Sequence, residues 1–276
     1  MLIKKKVKKI LIMGLPGSGK TYLAKRFAKI INAEWLNADK IRGKYNDWDF
    51  SEQGIIRQVK RMKKLADQSK KKIIVADFVC PLKKQLDIFK PDLVIWMDTI
   101  KKGRFKSMNK LFKPPKRYNL RIKEKNLELN LIKLLDKLKN YKWDNRKPTA
   151  QMLGRFQPWH KGHQKLFEKI ILKTGQVNIM VKDVHKIGDN PYSFKFIKRR
   201  ISKALIDYKS RIKISLAPNI SYVCYGRTVG YKVEKIKMPK KIESISATKI
   251  RKNLRSLGKL KKIKINEKKK LKFLLL

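Results

Sequence analysis

The chain has 276 residues, with 73 Lys and Arg against 21 Asp and Glu, a formal net charge of +52. Its 42% hydrophobic content supports a sizeable core, which excludes a disordered basic tail, and the length suits one large domain or two small ones. No stretch approaches the ~20 apolar residues of a membrane span; two cysteines, Cys80 and Cys224, exclude a disulfide framework and a four-thiolate zinc site and make a reducing cytoplasm the expected location.

In chain order, the opening MLIKKKVKKILIMG has the basic start of an export signal. Its apolar run ends at Met13 and a glycine turn follows, so it reads as a first β-strand. The pattern predicts a strand at 9–13, a glycine loop, a helix at 20–31, a strand at 34–37, a helix at 51–69 and strands at 72–76 and 92–97. Such alternation implies a parallel sheet covered on both faces. Leu127, Leu131, Leu134, Leu135 and Leu138 give helical spacing across 120–142, which closes a first domain at 1–142. The polar WDNRKPT stretch at 143–149 reads as a linker.

A second α/β unit is expected at 150–254: a strand at 150–153, a helix at 164–173, a strand at 177–181, a helix at 193–206, and strands at 212–216 and 221–224. Residues 255–276 form a basic tail ending in LKFLLL. The charge is spread evenly. Residues 1–150 hold 40 basic and 14 acidic side chains and residues 151–276 hold 33 and 7, a net +26 in each. Only 15 of the 73 basic residues are Arg. A nucleic-acid footprint is clustered and Arg-rich, so small anionic nucleotides are the expected partners rather than a dedicated nucleic acid or a membrane.

Residues 14–21, Gly-Leu-Pro-Gly-Ser-Gly-Lys-Thr, match GxxxxGK[ST] between a predicted strand and a predicted helix. Gly14, Gly17, Ser18 and Gly19 let backbone N–H groups face phosphates at a helix N-terminus. Lys20 is expected to reach the β- and γ-phosphates of ATP and the Thr21 hydroxyl to ligate Mg²⁺. Downstream stand Asn37-Ala-Asp39-Lys-Ile-Arg42, Trp48-Asp-Phe50-Ser, Ile56-Arg57, Asp77-Phe78-Val-Cys-Pro81 and Met97-Asp98-Thr99.

In these residues, from Gly14 to about Pro115, the chain resembles the adenylylsulfate (APS) kinase family. The resemblance implies that Asp39 takes the proton of the acceptor 3′-hydroxyl. It implies that Arg42 and Arg57 hold the sulfate-phosphate end, that Phe50 and Phe78 border the acceptor's adenine, and that the protein is a homodimer. The chain departs from the family in the lid region 101–115, where Arg104, Lys106 and Lys110 could supply the charge, and in the lead into the Ile56-Arg57 pair. Another small-molecule acceptor therefore stays open. Asp39 alone could be a helix N-cap, and Asp77 could cap the loop after its strand.

The second constellation is Gly154-Arg-Phe156-Gln-Pro-Trp159-His160-Lys-Gly162-His163. HxxH spacing can bind zinc, but no Cys or Glu partner stands at ligand spacing. The glycines and the two imidazoles at a helix start suit phosphate chemistry better. Trp159 reads as packing. Ile245-Ser246-Ala-Thr248-Lys-Ile-Arg251 follows near the C-terminus. The pair resembles the nucleotidyltransferase superfamily with H-x-G-H and I-S-x-T-x-I-R signatures, and most of all its nicotinamide-mononucleotide adenylyltransferase branch. The resemblance implies a Rossmann-like domain that moves AMP or CMP from ATP or CTP to a phosphorylated acceptor, releasing pyrophosphate. His160 and His163 would contact the α- and β-phosphates, with Gly154, Phe156 and Gly162 shaping the loop. Ser246, Thr248 and Arg251 would bind the β/γ end, and Lys182 and Arg227 would touch substrate or triphosphate. An ATP sulfurylase-like second domain is a variant of this reading. A nucleic-acid-binding protein gated by its P-loop is the alternative from another class.

Overall fold

The computed structural model describes residues 8–139, 141–224, 226, 230 and 232–261. They fall into two compact units that divide between Tyr141 and Lys142. Among them no helix is long and apolar enough to cross a membrane.

The first unit runs β1 (Lys9–Met13), α1 (Lys20–Ile30), β2 (Glu34–Asn37), α2 (Ala38–Lys44), α3 (Glu52–Gln68), β3 (Ile74–Phe78), α4 (Lys83–Phe89), β4 (Leu93–Met97), α5 (Lys106–Leu111), β5 (Leu120–Ile122) and α6 (Leu127–Lys139). Its five strands form a parallel sheet in the order β2-β3-β1-β4-β5. The strand KILIM is apolar on both faces because both faces are covered. Leu11 and Met13 pack with Val59, Met62 and Phe89 of α3 and α4, while Ile10 and Ile12 pack with Leu23, Phe27 and Leu134 of α1 and α6. The carboxyl ends of β1, β2 and β3 therefore open on one edge, where substrates of such sheets bind.

Two expectations change here. β3 begins at Ile74 and runs through Asp77 to Phe78, beyond the expected 72–76. Residues 120–122 are a strand and not the start of the helix: Leu120 and Ile122 are buried with Arg121 between them, a period of two that pairs with β4.

The second unit contains β6 (Ala150–Gly154), α7 (Lys161–Thr174), β7 (Val177–Lys182), α8 (Phe194–Ala204), β8 (Ile212–Ala217), α9 (Lys240–Glu243) and α10 (Ala247–Ser256). Its three strands are parallel, in the order β6-β7-β8. Val177, Ile179 and Val181 are buried in alternation along β7, and Phe167 and Ile171 of α7 and Ile197 and Ile201 of α8 are buried as well. The strand expected at 221–224 does not form. Tyr222 is 82% exposed and Val223 61%, so nothing covers the apolar side chains that suggested it. Of the tail, residues 262–276 lie outside the described residues, as does Arg227.

Candidate functional site

In the first unit, β1 leads into the glycine loop and α1 starts at Lys20. Gly14, Gly17 and Gly19 have φ of 145°, 86° and 93°, a region L side chains rarely adopt. Gly14 is also required by space, since a Cβ there would lie 2.5 Å from the Met97 carbonyl oxygen. The Ser18 N–H donates to Leu15 O at 3.1 Å, and the Thr99 hydroxyl ties down Ser18 O at 2.7 Å. The Ser18 Oγ is buried with no hydrogen-bond partner among the described residues.

Lys20 is 8% exposed and donates from Nζ to the Leu15 carbonyl at 2.9 Å. Burial pulls its pKa down to about 8, opposed by the charges of Asp77 and Asp39. Thr21 Oγ1 donates to Asp77 Oδ2 at 2.7 Å. Asp77 also accepts from Trp35 Nε1 at 2.6 Å and Asn37 Nδ2 at 2.9 Å. Burial raises its pKa against these three hydrogen bonds. The sequence left Asp77 open between cap and chemistry. The structure makes it the carboxylate that joins the glycine loop to β2 and β3, because Ile12 and Asn37 are its register partners on the neighbouring strands.

Beside the loop lies a cavity of about 440 Å³. Gly17, Lys20, Thr21 and Asp77 line it together with Asp39, Arg42, Phe50 and Phe78. Asp39 stands in the first turn of α2, whose N-cap is Asn37, so the capping role that competed for Asp39 belongs to its neighbour. Arg42 is buried, donates to the carbonyls of Asp47 and Asp49 at 2.9 and 2.8 Å, and lies 4.7 Å over the Phe50 ring.

Arg57 is placed differently from Arg42. It is absent from the cavity lining, half exposed, and forks onto Asp47 at 2.9 Å and Asp49 at 3.0 Å. This hydrogen bonding holds the Asp47 carboxyl far below the usual range. Arg57 therefore fastens the loop that carries Phe50. From the lid, Arg104 and Phe105 line the cavity while Lys106 and Lys110 do not. Gln58 and Gln85 also line it, with no signal in the sequence to single them out.

In the second unit, His160 is the N-cap of α7. Its Nδ1 accepts from Gly162 N at 3.1 Å, and His163 Nδ1 accepts from His160 N at 3.3 Å. The rings stack with centroids 3.7 Å apart. Because each Nδ1 is an acceptor, each neutral ring carries its proton on Nε2. Burial lowers both pKa values, that of His163 to about 3. The pair thus presents two neutral N–H donors at a helix N-terminus. A Cβ on Gly162 would meet the His160 ring at 2.9 Å, and one on Gly154 the Phe156 ring at 2.8 Å. Phe156 and Trp159 pack on His163 at 5.1 and 5.4 Å, so the aromatic residues of this loop support the imidazole.

The return motif reaches the same loop. Arg251 is buried; it donates to the Gln157 carbonyl, to Asp189 Oδ2 at 2.8 Å and to Thr248 Oγ1 at 3.2 Å. Its guanidinium therefore clamps α10 against the histidine loop. Ser246 is the N-cap of α10. Lys182 ends β7 at the carboxyl edge of the sheet, next to the register pair Gly154–Val181.

No protein-family model matches the chain. No curated protein matches it either. Similar solved structures include an APS kinase of Mycobacterium tuberculosis, 21% identical over 48% of this chain and 99% of that one, with a TM-score of 0.38. A gluconokinase from Sinorhizobium meliloti is 11% identical over 50% and 94%, with a TM-score of 0.38. A shikimate kinase from Acinetobacter baumannii, in complex with shikimate, is 16% identical over 49% and 79%, with a TM-score of 0.32. These three are kinases, and each likeness extends over about half of this chain.

Proposed function

We propose that the first unit is an ATP-dependent phosphotransferase acting on a hydroxyl of a small anionic acceptor, with adenylylsulfate as the acceptor to test first. One observation carries the reading: Lys20 and Thr21 share a single cavity with Asp39, Arg42, Phe50 and Phe78. Loop N–H groups and Lys20, released from Leu15 O, would hold the β- and γ-phosphates. The buried Ser18 hydroxyl, without a partner among the described residues, fits a loop shaped for a polar guest. Thr21 and Asp77 fit Mg²⁺, which favours one or two protein oxygens plus phosphate; when bound it would neutralise charge on the transferring group. The acceptor oxygen attacks the γ-phosphorus in line, the bond to the leaving ADP breaks, and the hydroxyl proton passes to Asp39. Arg42 neutralises the acceptor's anionic end.

A second reading concerns the second unit. The link from Arg251 to the Gln157 carbonyl brings the return motif onto the histidine loop, and this favours nucleotidyl transfer with pyrophosphate release. Catalysis there would be positioning plus two neutral donors aimed at developing phosphate charge.

A mass-spectrometric product screen tests both. ATP or CTP would be offered with adenylylsulfate, nicotinamide mononucleotide, pantetheine phosphate and sugar phosphates. ADP with a phosphorylated acceptor supports the first reading. Pyrophosphate with a nucleotidylated acceptor supports the second, and pyrophosphate released with sulfate would favour the sulfurylase variant instead. Tight, salt-sensitive nucleic-acid binding with no small-molecule product would overturn both.

A further inference from the structure

The first unit's cavity is also lined by Ile55, Val59, Met62 and Phe78 and by two amide side chains, Gln58 and Gln85. The two amides differ in what they have left to offer. Gln58 is used at both ends: its Nε2 donates to the Ala38 carbonyl at 3.0 Å and its Oε1 accepts from Arg61 at 2.6 Å. Gln85 is used at one end. It is 5% exposed, stands three residues into the start of α4, and accepts through Oε1 from the Leu82 N–H at 3.1 Å. That bond identifies which amide atom is oxygen, because an N–H cannot donate to an NH₂ group. Among the described residues the Nε2 of Gln85 has no hydrogen-bond partner, and the space beside the side chain is the cavity.

We infer that Gln85 is a specificity-determining residue for the acceptor, offering amide N–H donors to a lone pair on the edge of a flat heteroaromatic ring such as a nucleobase. This rests on the reading of the cavity as a phosphotransferase acceptor site. The chemistry follows from the walls: apolar side chains and aromatic faces suit a flat ring, and a donor held by a helix start selects a ring with an acceptor at its edge. A buried donor left unpaired penalises a ring that lacks one.

Gln85→Glu separates this role from the structural one. The carboxylate keeps the acceptor for the Leu82 N–H and suits the first turn of a helix, while the donors disappear and a lone pair faces the ligand. With ATP and adenylylsulfate, the expected result is a KM for adenylylsulfate raised about tenfold or more, the value of roughly one lost and reversed hydrogen bond. The KM for ATP and the unfolding temperature should stay close to wild type. Gln85→Met removes cap and donors together; it should raise the same KM and also lower the unfolding temperature. If the wild type phosphorylates adenylylsulfate and Gln85→Glu changes its KM by less than twofold, Gln85 does not read the acceptor and the inference falls alone. If the wild type neither binds nor phosphorylates adenylylsulfate or any other ring-bearing acceptor, the reading of the cavity falls and takes the inference with it.

Discussion

Asp77 is the residue on which the first unit's chemistry and architecture meet, since it accepts from Thr21, Trp35 and Asn37 at once. Asp77→Asn halves the acceptor oxygens while all three donors remain. It should cost ~1–3 kcal/mol in denaturant unfolding and weaken the Mg²⁺ dependence of ATP turnover. The role was not legible in sequence. A lone acid at a strand end looks like a loop cap, and its partners lie 40, 42 and 56 residues away, brought to it by the pairing of β2 with β3 and by the start of α1. Arg57 was hidden for a similar reason: a guanidinium takes whichever carboxylates the loop fold delivers, here Asp47 and Asp49. His163 makes a pH prediction. The unfolded imidazole protonates near 6.5 and the folded one only near 3, so the unfolded state binds more protons across that window. Wild type should therefore lose stability relative to His163→Asn as pH falls from 6.5 toward 3, with the difference constant above 6.5. Equilibrium unfolding of both proteins at several pH values checks the sign.

At the scale of elements, the glycine loop was legible because its information is contiguous: eight residues carry the turn, the cation and the hydroxyl. The structure adds why Gly14 admits no side chain. Alanine there would collide with the backbone of β4 and hold an unfavourable φ, with no flexible neighbour to yield. Gly14→Ala should destabilise the first unit by several kcal/mol, on the order of 3–5, and abolish nucleotide protection against thermal unfolding. Most strands were readable from their apolar runs. β5 was not, because its short Leu-Arg-Ile alternation sits just before a leucine-rich helix whose period of 3.6 dominates the window. The apolar residues at 221–224 misled in the opposite direction, since local β-propensity cannot supply a neighbouring strand to pair with.

For the whole molecule, the division between Tyr141 and Lys142 leaves each candidate site inside one unit. If both proposed activities are present, Lys20→Ala should remove phosphoryl transfer and spare nucleotidyl transfer, and His163→Ala should do the reverse; loss of both by either change, without unfolding, would refute two separate sites. In that proposed reading, the net charge of +52 would govern a different step from the stacked histidines. A positive field speeds the arrival of polyanions and weakens as salt rises. In the proposed reading of the second unit, neutral imidazoles with fixed protons would hold a phosphate through dipoles, which ions in solution screen far less. If the second unit binds a triphosphate as proposed, arrival and residence there would be under separate control: raising salt should slow association and leave the lifetime on the histidine pair nearly unchanged.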